Sequence, residues 1–356
     1  MNRPVPDGAP DVPPHTDRKP RMNHQHDRAL GALYGLAMGD ALGMPTQIMS
    51  RRSITARFGS VTGFEAGPAD NPVSAGMPAG SVTDDTDQAL IVGRLLIENG
   101  GRVDPLRLAH ELLEWEGAMK AKGSFDLLGP STKAALDAVS RGVPPEEAGK
   151  SGATNGAAMR ITPVGVAFPA TPLEPFIDRV AAACQVTHDT GIGIASAAAV
   201  AAAVSRGIDG GDLEDAFAAA ITAAEAGAER GHWVAGADIA ARIRWAVDLV
   251  RGLPEDQALD RVCDLVGTSV ASQESVPAAF AVLALAEGAP WRACLLAANL
   301  GGDCDTIGAI AGAMAGSVSG ASGLPADALA TLRSVNGLDL EPLATALLAL
   351  RAGPAE

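Results

Sequence analysis

From residue 173 to the end of the chain, one apolar-periodic segment follows another at helix length, and no run of alternating polarity interrupts them. Such a pattern excludes a parallel sheet with crossover helices and leaves an all-α fold. The spacing predicts helices over 174–186, 190–206, 212–227, 234–251, 255–265, 275–287, 290–298, 305–316, 325–334 and 340–351. Aromatic residues make up only 3% of the chain, against 47% hydrophobic residues overall, so the core must be built from small side chains. Small side chains let helix backbones approach closely, which again favours packed helices over sheets.

The first half reads less regularly. "ALGALYGLAMGDALGMP" suits a tightly buried helix from Ala29, with Pro45 as a stop. Residues 46–80, rich in Gly and Pro, read as a long loop of the kind that carries function. A helix is expected over 83–98, ended by Asn99-Gly100-Gly101, and another from Asp104, its N-cap, with Pro105 in the first turn. "GPSTKAALDAVSRG" reads as a shorter helix, and "KSGATNGAAMRITPVGVAFP" as a glycine-bearing turn followed by a buried stretch. Six prolines before residue 21 predict a disordered tail over 1–27, followed by a single domain over 28–352.

A net charge of −15 without any basic run gives no footprint for nucleic acid or an anionic membrane surface. Cys184, Cys263, Cys294 and Cys304 form no CxxC pair, so free thiols in a reducing compartment are expected. The N-terminus lacks the apolar core of a signal peptide, and the Ala-rich run 195–204 is too short for a membrane span, so a cytoplasmic location is expected. "GKS" at Gly149–Ser151 fails as a phosphate loop because Pro144 stands where a glycine is required. His24 and His26 fall in the tail and are expected to be solvated.

Two acidic turns stand out. "SVTDDTDQAL" holds Asp84, Asp85 and Asp87 just before an apolar run, and "ANLGGDCDTIGA" holds Asp303, Asp305 and Thr306 after two glycines. Taken alone, the first is a well-made helix start, with Thr83 as cap, Asp87 as a solvated cap residue and acids at the positive end of the dipole. Adjacent residues diverge by about 100° on a helix and residues two apart by about 200°, so neither pair lines one helical face. At a loop-to-helix junction, however, each carboxylate can reach a neighbouring centre. If the two turns meet, like charges would raise one another's pKa unless cations such as Mg²⁺ or Mn²⁺ neutralise them.

Five segments, "GALYGLAMGDALG" (31–43), "TDDT" (83–86), "TNGAAMRITPVG" (154–165), "TH" (187–188) and "GGDCDTIGA" (301–309), appear in an order that resembles the ADP-ribosylglycohydrolase family, which includes the dinitrogen-reductase-activating glycohydrolases. The resemblance implies a compact orthogonal multi-helix bundle with two Mg²⁺ ions. It would place Thr83, Asp84 and Asp85 on the metals from one side and Asp303, Asp305 and Thr306 from the other, with Asp85 or Asp305 as the catalytic base. It also implies that the Asn155–Gly156 turn holds phosphate or ribose through backbone N–H groups and that His188 contacts ribose. Arg160 is expected to pair with an acid.

The chain departs from the family pattern in two places. Gln47 stands seven residues after Asp40, where many relatives carry Glu; it can still offer a carbonyl oxygen to the substrate but cannot move a proton. Gly152 and Ala153 occupy a place where some relatives put an aromatic beside adenine. The implied substrate is ADP-ribose on a protein side chain such as Arg. Two alternatives stay open: a small nucleoside-like N-riboside, and a catalytically silent, crystallin-like protein that binds ADP-ribose.

Overall fold

The computed structural model describes residues 19–124 and 128–353. Among the described residues the chain forms eighteen α-helices and no sheet, with three isolated bridges. In order these are α1 (Lys19–Gly43), α2 (Arg51–Phe58), α3 (Asp84–Glu98), α4 (Pro105–Ala121), α5 (Pro130–Ser140) and α6 (Pro145–Ala148). Then come α7 (Gly156–Met159), α8 (Thr162–Ala167), α9 (Leu173–His188), α10 (Gly191–Ile208), α11 (Leu213–Ala228) and α12 (Ile239–Val250). The last six are α13 (Glu255–Arg261), α14 (Ser272–Leu285), α15 (Pro290–Ala298), α16 (Cys304–Ser319), α17 (Ala326–Asn336) and α18 (Glu341–Ala352).

The centre of the bundle is the antiparallel pair α1 and α16. Gly31, Gly35, Gly39 and Gly43 recur every fourth residue on α1 and meet Gly316, Gly312, Gly308 and the Cys304–Asp305 backbone on α16. A methyl at Gly39 would lie 1.9 Å from the Gly308 carbonyl oxygen, so the two backbones are in direct contact. This is the physical outcome of the small-residue composition, and it has a consequence for the chemistry: the C-terminal end of α1 is fixed against the N-terminal end of α16. Gly39→Ala should therefore cost about 3 kcal/mol or prevent folding, because backbone rather than a side chain must give way. Gly117 in α4 has nothing within 4 Å of its would-be Cβ. Gly117→Ala should stabilise by about 0.5–1 kcal/mol through helix propensity. Urea midpoints of the two variants measure the contrast.

Several expectations are corrected. α1 begins at Lys19 rather than Ala29, so 19–27 is helix and not tail; residues 1–18 lie outside the described residues. Pro20 in the first turn suits a helix start, and Arg28 ties this end down by donating to the carbonyls of Gly207 and Gly211. His24 is exposed as expected, and His26 is half-buried, its Nε2 lying 3.2 Å from Thr345 Oγ1 and 3.3 Å from Glu341 Oε1 on α18. The 46–80 loop contains α2, started by Ser50, whose side chain accepts from Ser53 N at 3.1 Å. The turn and buried stretch expected over 150–169 are present, residues 155–168 being buried, and the buried part is wound into the short helices α7 and α8. α12 starts later than its apolar pattern, at Ile239, where Asp238 accepts from Ala241 N at 2.7 Å.

α10 is long and apolar enough to cross a membrane by composition, with mean hydropathy 1.5 over 18 residues, contrary to the shorter run expected. It is 89% buried inside the protein and packs against α8, α11 and α16. The four cysteines are free thiols, three of them fully buried.

Candidate active site

The two acidic turns converge. Asp84, Asp303, Asp305 and Thr306 line one cleft of about 240 Å³, together with Gln47, Thr132, Thr154, Asn155, Gly156 and apolar residues that include Leu128, Met159 and Val270. Thr83 and Asp85, from the same turn as Asp84, are buried and stand outside this lining. The second turn is shaped by Gly301 and Gly302, with φ of 80° and 69°, a conformation that glycine adopts without strain. Gly302 N donates to Met49 O at 2.8 Å, and Ile48 N donates to Gly302 O at 2.7 Å. This clamp holds Ile48 at φ 64°, a rare conformation for a β-branched residue. It also fixes Gln47 beside Asp303. Asp303 N in turn donates to Thr268 O at 2.7 Å.

The first turn is built differently from expectation. Thr83 makes no side-chain cap. The cap is Asp40, fully buried on α1: its carboxylate accepts from Thr83 N at 3.0 Å, Thr86 N at 3.1 Å, Thr83 Oγ1 at 2.7 Å and Thr86 Oγ1 at 2.5 Å. A carboxylate supplied by another helix thus satisfies the orphan donors of α3. Burial pushes the Asp40 carboxyl up to about 6, against the lowering effect of those hydrogen bonds. The signal for it in the sequence was a lone acid inside a run of buried small residues, which must be partnered.

Asp85 has its pKa raised well above the usual range, first by burial and then by the charges of Asp84, Asp40, Asp305 and Asp303. Asp303 is also raised by burial, although Asn155 and Thr306 donate to it. Asp85 Oδ1 is buried without a hydrogen-bond partner. An unsatisfied carboxylate oxygen inside a cluster of like charges is a place for a cation. Among the described residues no three Asp, Glu, His or Cys side chains form a ready-made metal cage. The donor set is nonetheless chemically suited to a hard divalent ion, since Asp84 from one turn and Asp303, Asp305 and Thr306 from the other line the same cleft, and water completes such shells.

Other predicted residues take different places. Asn155 spends its donors on the protein: N to Val270 O at 2.9 Å, and Nδ2 to Ser275 Oγ at 2.9 Å and Asp303 Oδ2 at 2.5 Å. Its side chain orients Asp303, and Asn155 itself also lines the cleft. Gly156 does line the cleft. Gly152 does not; a Cβ there would lie 2.1 Å from Thr187 O, so its glycine serves the close approach of α9. His188 ends α9, is fully buried and stands behind the cleft wall, with Thr154 between it and the opening. Gln47 is 6% exposed, lines the cleft and leaves Nε2 buried without a partner. Asp87 is not solvated: it accepts from Trp115 Nε1 at 2.8 Å. Arg160 meets an amide and a hydroxyl rather than an acid, donating to Gln88 Oε1 at 2.9 Å and Thr187 Oγ1 at 2.5 Å. Gln88, unmarked in the sequence, passes the contact on by donating to Asp84 Oδ2 at 2.7 Å.

An all-helical bundle with two aspartate turns lining one cleft has the form of a glycosidic hydrolase of the ADP-ribosylglycohydrolase kind. Residues 21–356 match that family over nearly the whole chain, and the protein belongs to it. Its relatives include YegU of Escherichia coli (strain K12), an uncharacterized protein, 38% identical over 91% of this chain and 97% of its own length. The ADP-ribosyl-[dinitrogen reductase] glycohydrolase of Rhodospirillum rubrum is 27% identical over 91% of this chain and 97% of its own. A solved structure, an ADP-ribosylglycohydrolase-related protein complex, superposes with a TM-score of 0.67 at 26% identity, covering 92% of this chain and 99% of that one.

Proposed function

We propose that this protein is a divalent-metal-dependent hydrolase that cleaves the glycosidic bond at C1 of a ribose, with ADP-ribose on a protein side chain as its substrate class. The observation that carries the reading is the meeting of Asp84 with Asp303 and Asp305 in one cleft, from opposite ends of the chain. An ADP-ribosylarginine hydrolase of Pseudomonas putida (strain GB-1), 25% identical over 84% of this chain and 72% of its own length, supports an arginine-linked substrate.

Thr83, Asp84 and Asp85 from one turn and Asp303, Asp305 and Thr306 from the other would hold two Mg²⁺ ions, or Mn²⁺. When bound, such ions supply Lewis-acid polarisation and make water more acidic. Asp305 lines the cleft and Asp85 does not, which supports Asp305 as the carboxylate that takes the proton of the attacking water. Asp85 instead contributes negative charge under the ribose, which favours an oxocarbenium-like transition state. Asn155 keeps Asp303 turned into the cleft through its Nδ2 hydrogen bond. Leu128, Met159 and Val270 form the apolar wall that limits water.

A smaller N-riboside is the second reading. The cleft is only about 240 Å³ and, among the described residues, no aromatic side chain lines it. A binding protein without turnover is the third, favoured by the uncharged Gln47.

Thermal unfolding with Mg²⁺ against EDTA, followed by turnover of ADP-ribosyl-arginine, ADP-ribosyl-serine and a nucleoside panel, separates these. At a hundredfold excess over Kd each ion should add about 2.7 kcal/mol of stability. Release from ADP-ribosyl-arginine is the expected result. An unchanged midpoint would sink the metal site, and binding of ADP-ribose with no turnover in the panel would sink the enzyme.

A further inference from the structure

Six polar side chains form a hydrogen-bonded arc behind the cleft wall, and both of its ends, Asp84 and Thr154, open into the cleft. The arc runs Asp84, Gln88, Arg160, Thr187, His188, Thr154, and its middle four members are buried. Its direction can be worked out link by link. A guanidinium has donors only. Arg160 Nη1 donates to Gln88 Oε1, which fixes the Gln88 amide with Nε2 donating to Asp84 Oδ2. Arg160 Nη2 donates to Thr187 Oγ1.

The remaining links are Thr187 Oγ1 to His188 Nδ1 at 2.8 Å and His188 Nε2 to Thr154 Oγ1 at 3.0 Å. Burial, then the charge of Arg160, holds the His188 pKa well below its ordinary value, so the ring is neutral and has one donor and one acceptor nitrogen. Thr187 Oγ1 accepts from Arg160, which leaves its own hydroxyl proton available to Nδ1 as acceptor. Nε2 then carries the ring hydrogen and donates to Thr154 Oγ1. The proton of Thr154 is left over, on a hydroxyl that lines the cleft.

We infer that Thr154 is a substrate-binding residue whose hydroxyl, fixed as a donor by His188, hydrogen-bonds an oxygen acceptor of the ligand, either a phosphate oxygen or a ribose hydroxyl. His188, Thr187 and Arg160 are positioning residues that act through it. The other half of the arc turns the Asp84 carboxylate through Gln88, so one buried guanidinium is linked to two groups that line the cleft. This inference rests on the ribosyl substrate proposed above.

Thr154→Val removes the hydroxyl at constant shape and Thr154→Ser keeps it. With the full chain and Mg²⁺, calorimetry should show ADP-ribose affinity falling about tenfold in the valine variant, as a lost charge-assisted hydrogen bond does, and staying within about twofold in the serine variant. Adenosine, which has ribose and no phosphate, distinguishes the acceptor: an unchanged adenosine affinity in the valine variant assigns a phosphate oxygen, and a parallel fall assigns a ribose hydroxyl. Equal ADP-ribose affinity in wild type and the valine variant, or a serine variant as weak as valine, overturns the contact. Nitrogen NMR of labelled histidine, without ligand, should find His188 as the Nε2–H tautomer; the Nδ1–H tautomer overturns the donor assignment. A wild-type protein that binds neither ligand overturns the substrate reading and the contact with it, whereas loss confined to Thr154→Val upholds both.

Discussion

Asp305→Asn should fold normally, respond weakly to Mg²⁺ and lose about a thousandfold in kcat, the size expected when a positioned proton acceptor is removed. Asparagine keeps the shape and one oxygen donor at the cleft wall, so the loss should fall on kcat more than on KM. Asp85→Asn should behave differently in the absence of metal. Its carboxyl is raised by burial and by four neighbouring acids, so taking away that charge relieves repulsion and should raise the unfolding temperature in EDTA. Added Mg²⁺ should then give less stabilisation than in wild type. Steady-state kinetics on ADP-ribosyl-arginine and paired melts in EDTA and Mg²⁺ measure both effects. Activity of Asp305→Asn within tenfold of wild type would show that another group takes the proton.

The parts of this molecule that could be read in advance are those set by local chemistry. Ten helices after residue 173 follow from apolar period alone, and the boundaries hold to within a few residues where a cap exists, as at Thr190, whose side chain accepts from Gly193 N. The positive φ of Gly301 and Gly302 follows from two consecutive glycines before an acid. What could not be read is pairing between distant residues. Thr83 does stand at the N-cap position of α3, but local sequence cannot know that the capping carboxylate, Asp40, arrives from another helix. Nothing near Asn155 in the sequence reveals that Val270, Ser275 and Asp303 take its donors. His188 reaches the cleft only through its contact with Thr154, a packing relation that no spacing rule encodes. Arg160 was expected to need an acid. Its charge instead spreads through Gln88 to Asp84, and burial lowers its pKa to about 10.

Asp40→Ala should be the most damaging substitution outside the cleft. It leaves the backbone donors of Thr83 and Thr86 without acceptors in a fully buried site and removes the only cap of α3. Each orphaned N–H costs about 1–3 kcal/mol and a lost cap about 1 kcal/mol. Burying the Asp40 charge is itself unfavourable, as the rise of its pKa to about 6 records, and that offsets part of the sum. A net loss of about 3 kcal/mol is expected, read as a lower urea midpoint with an unchanged m-value. Stability is not the only readout. Thr83 Oγ1 is anchored by Asp40 at 2.7 Å, and the turn carrying Asp84 and Asp85 starts there, so the Mg²⁺-dependent gain should disappear along with the lost stability. Asp87→Asn is the matching control, since Asp87 lies on the same turn but its partner is Trp115. It should cost about 1 kcal/mol and keep the Mg²⁺ response. Were Asp40→Ala to lose stability yet retain that response in full, the carboxylate would be a helix cap alone, and the two acidic turns would hold their positions through the α1–α16 backbone contact without it.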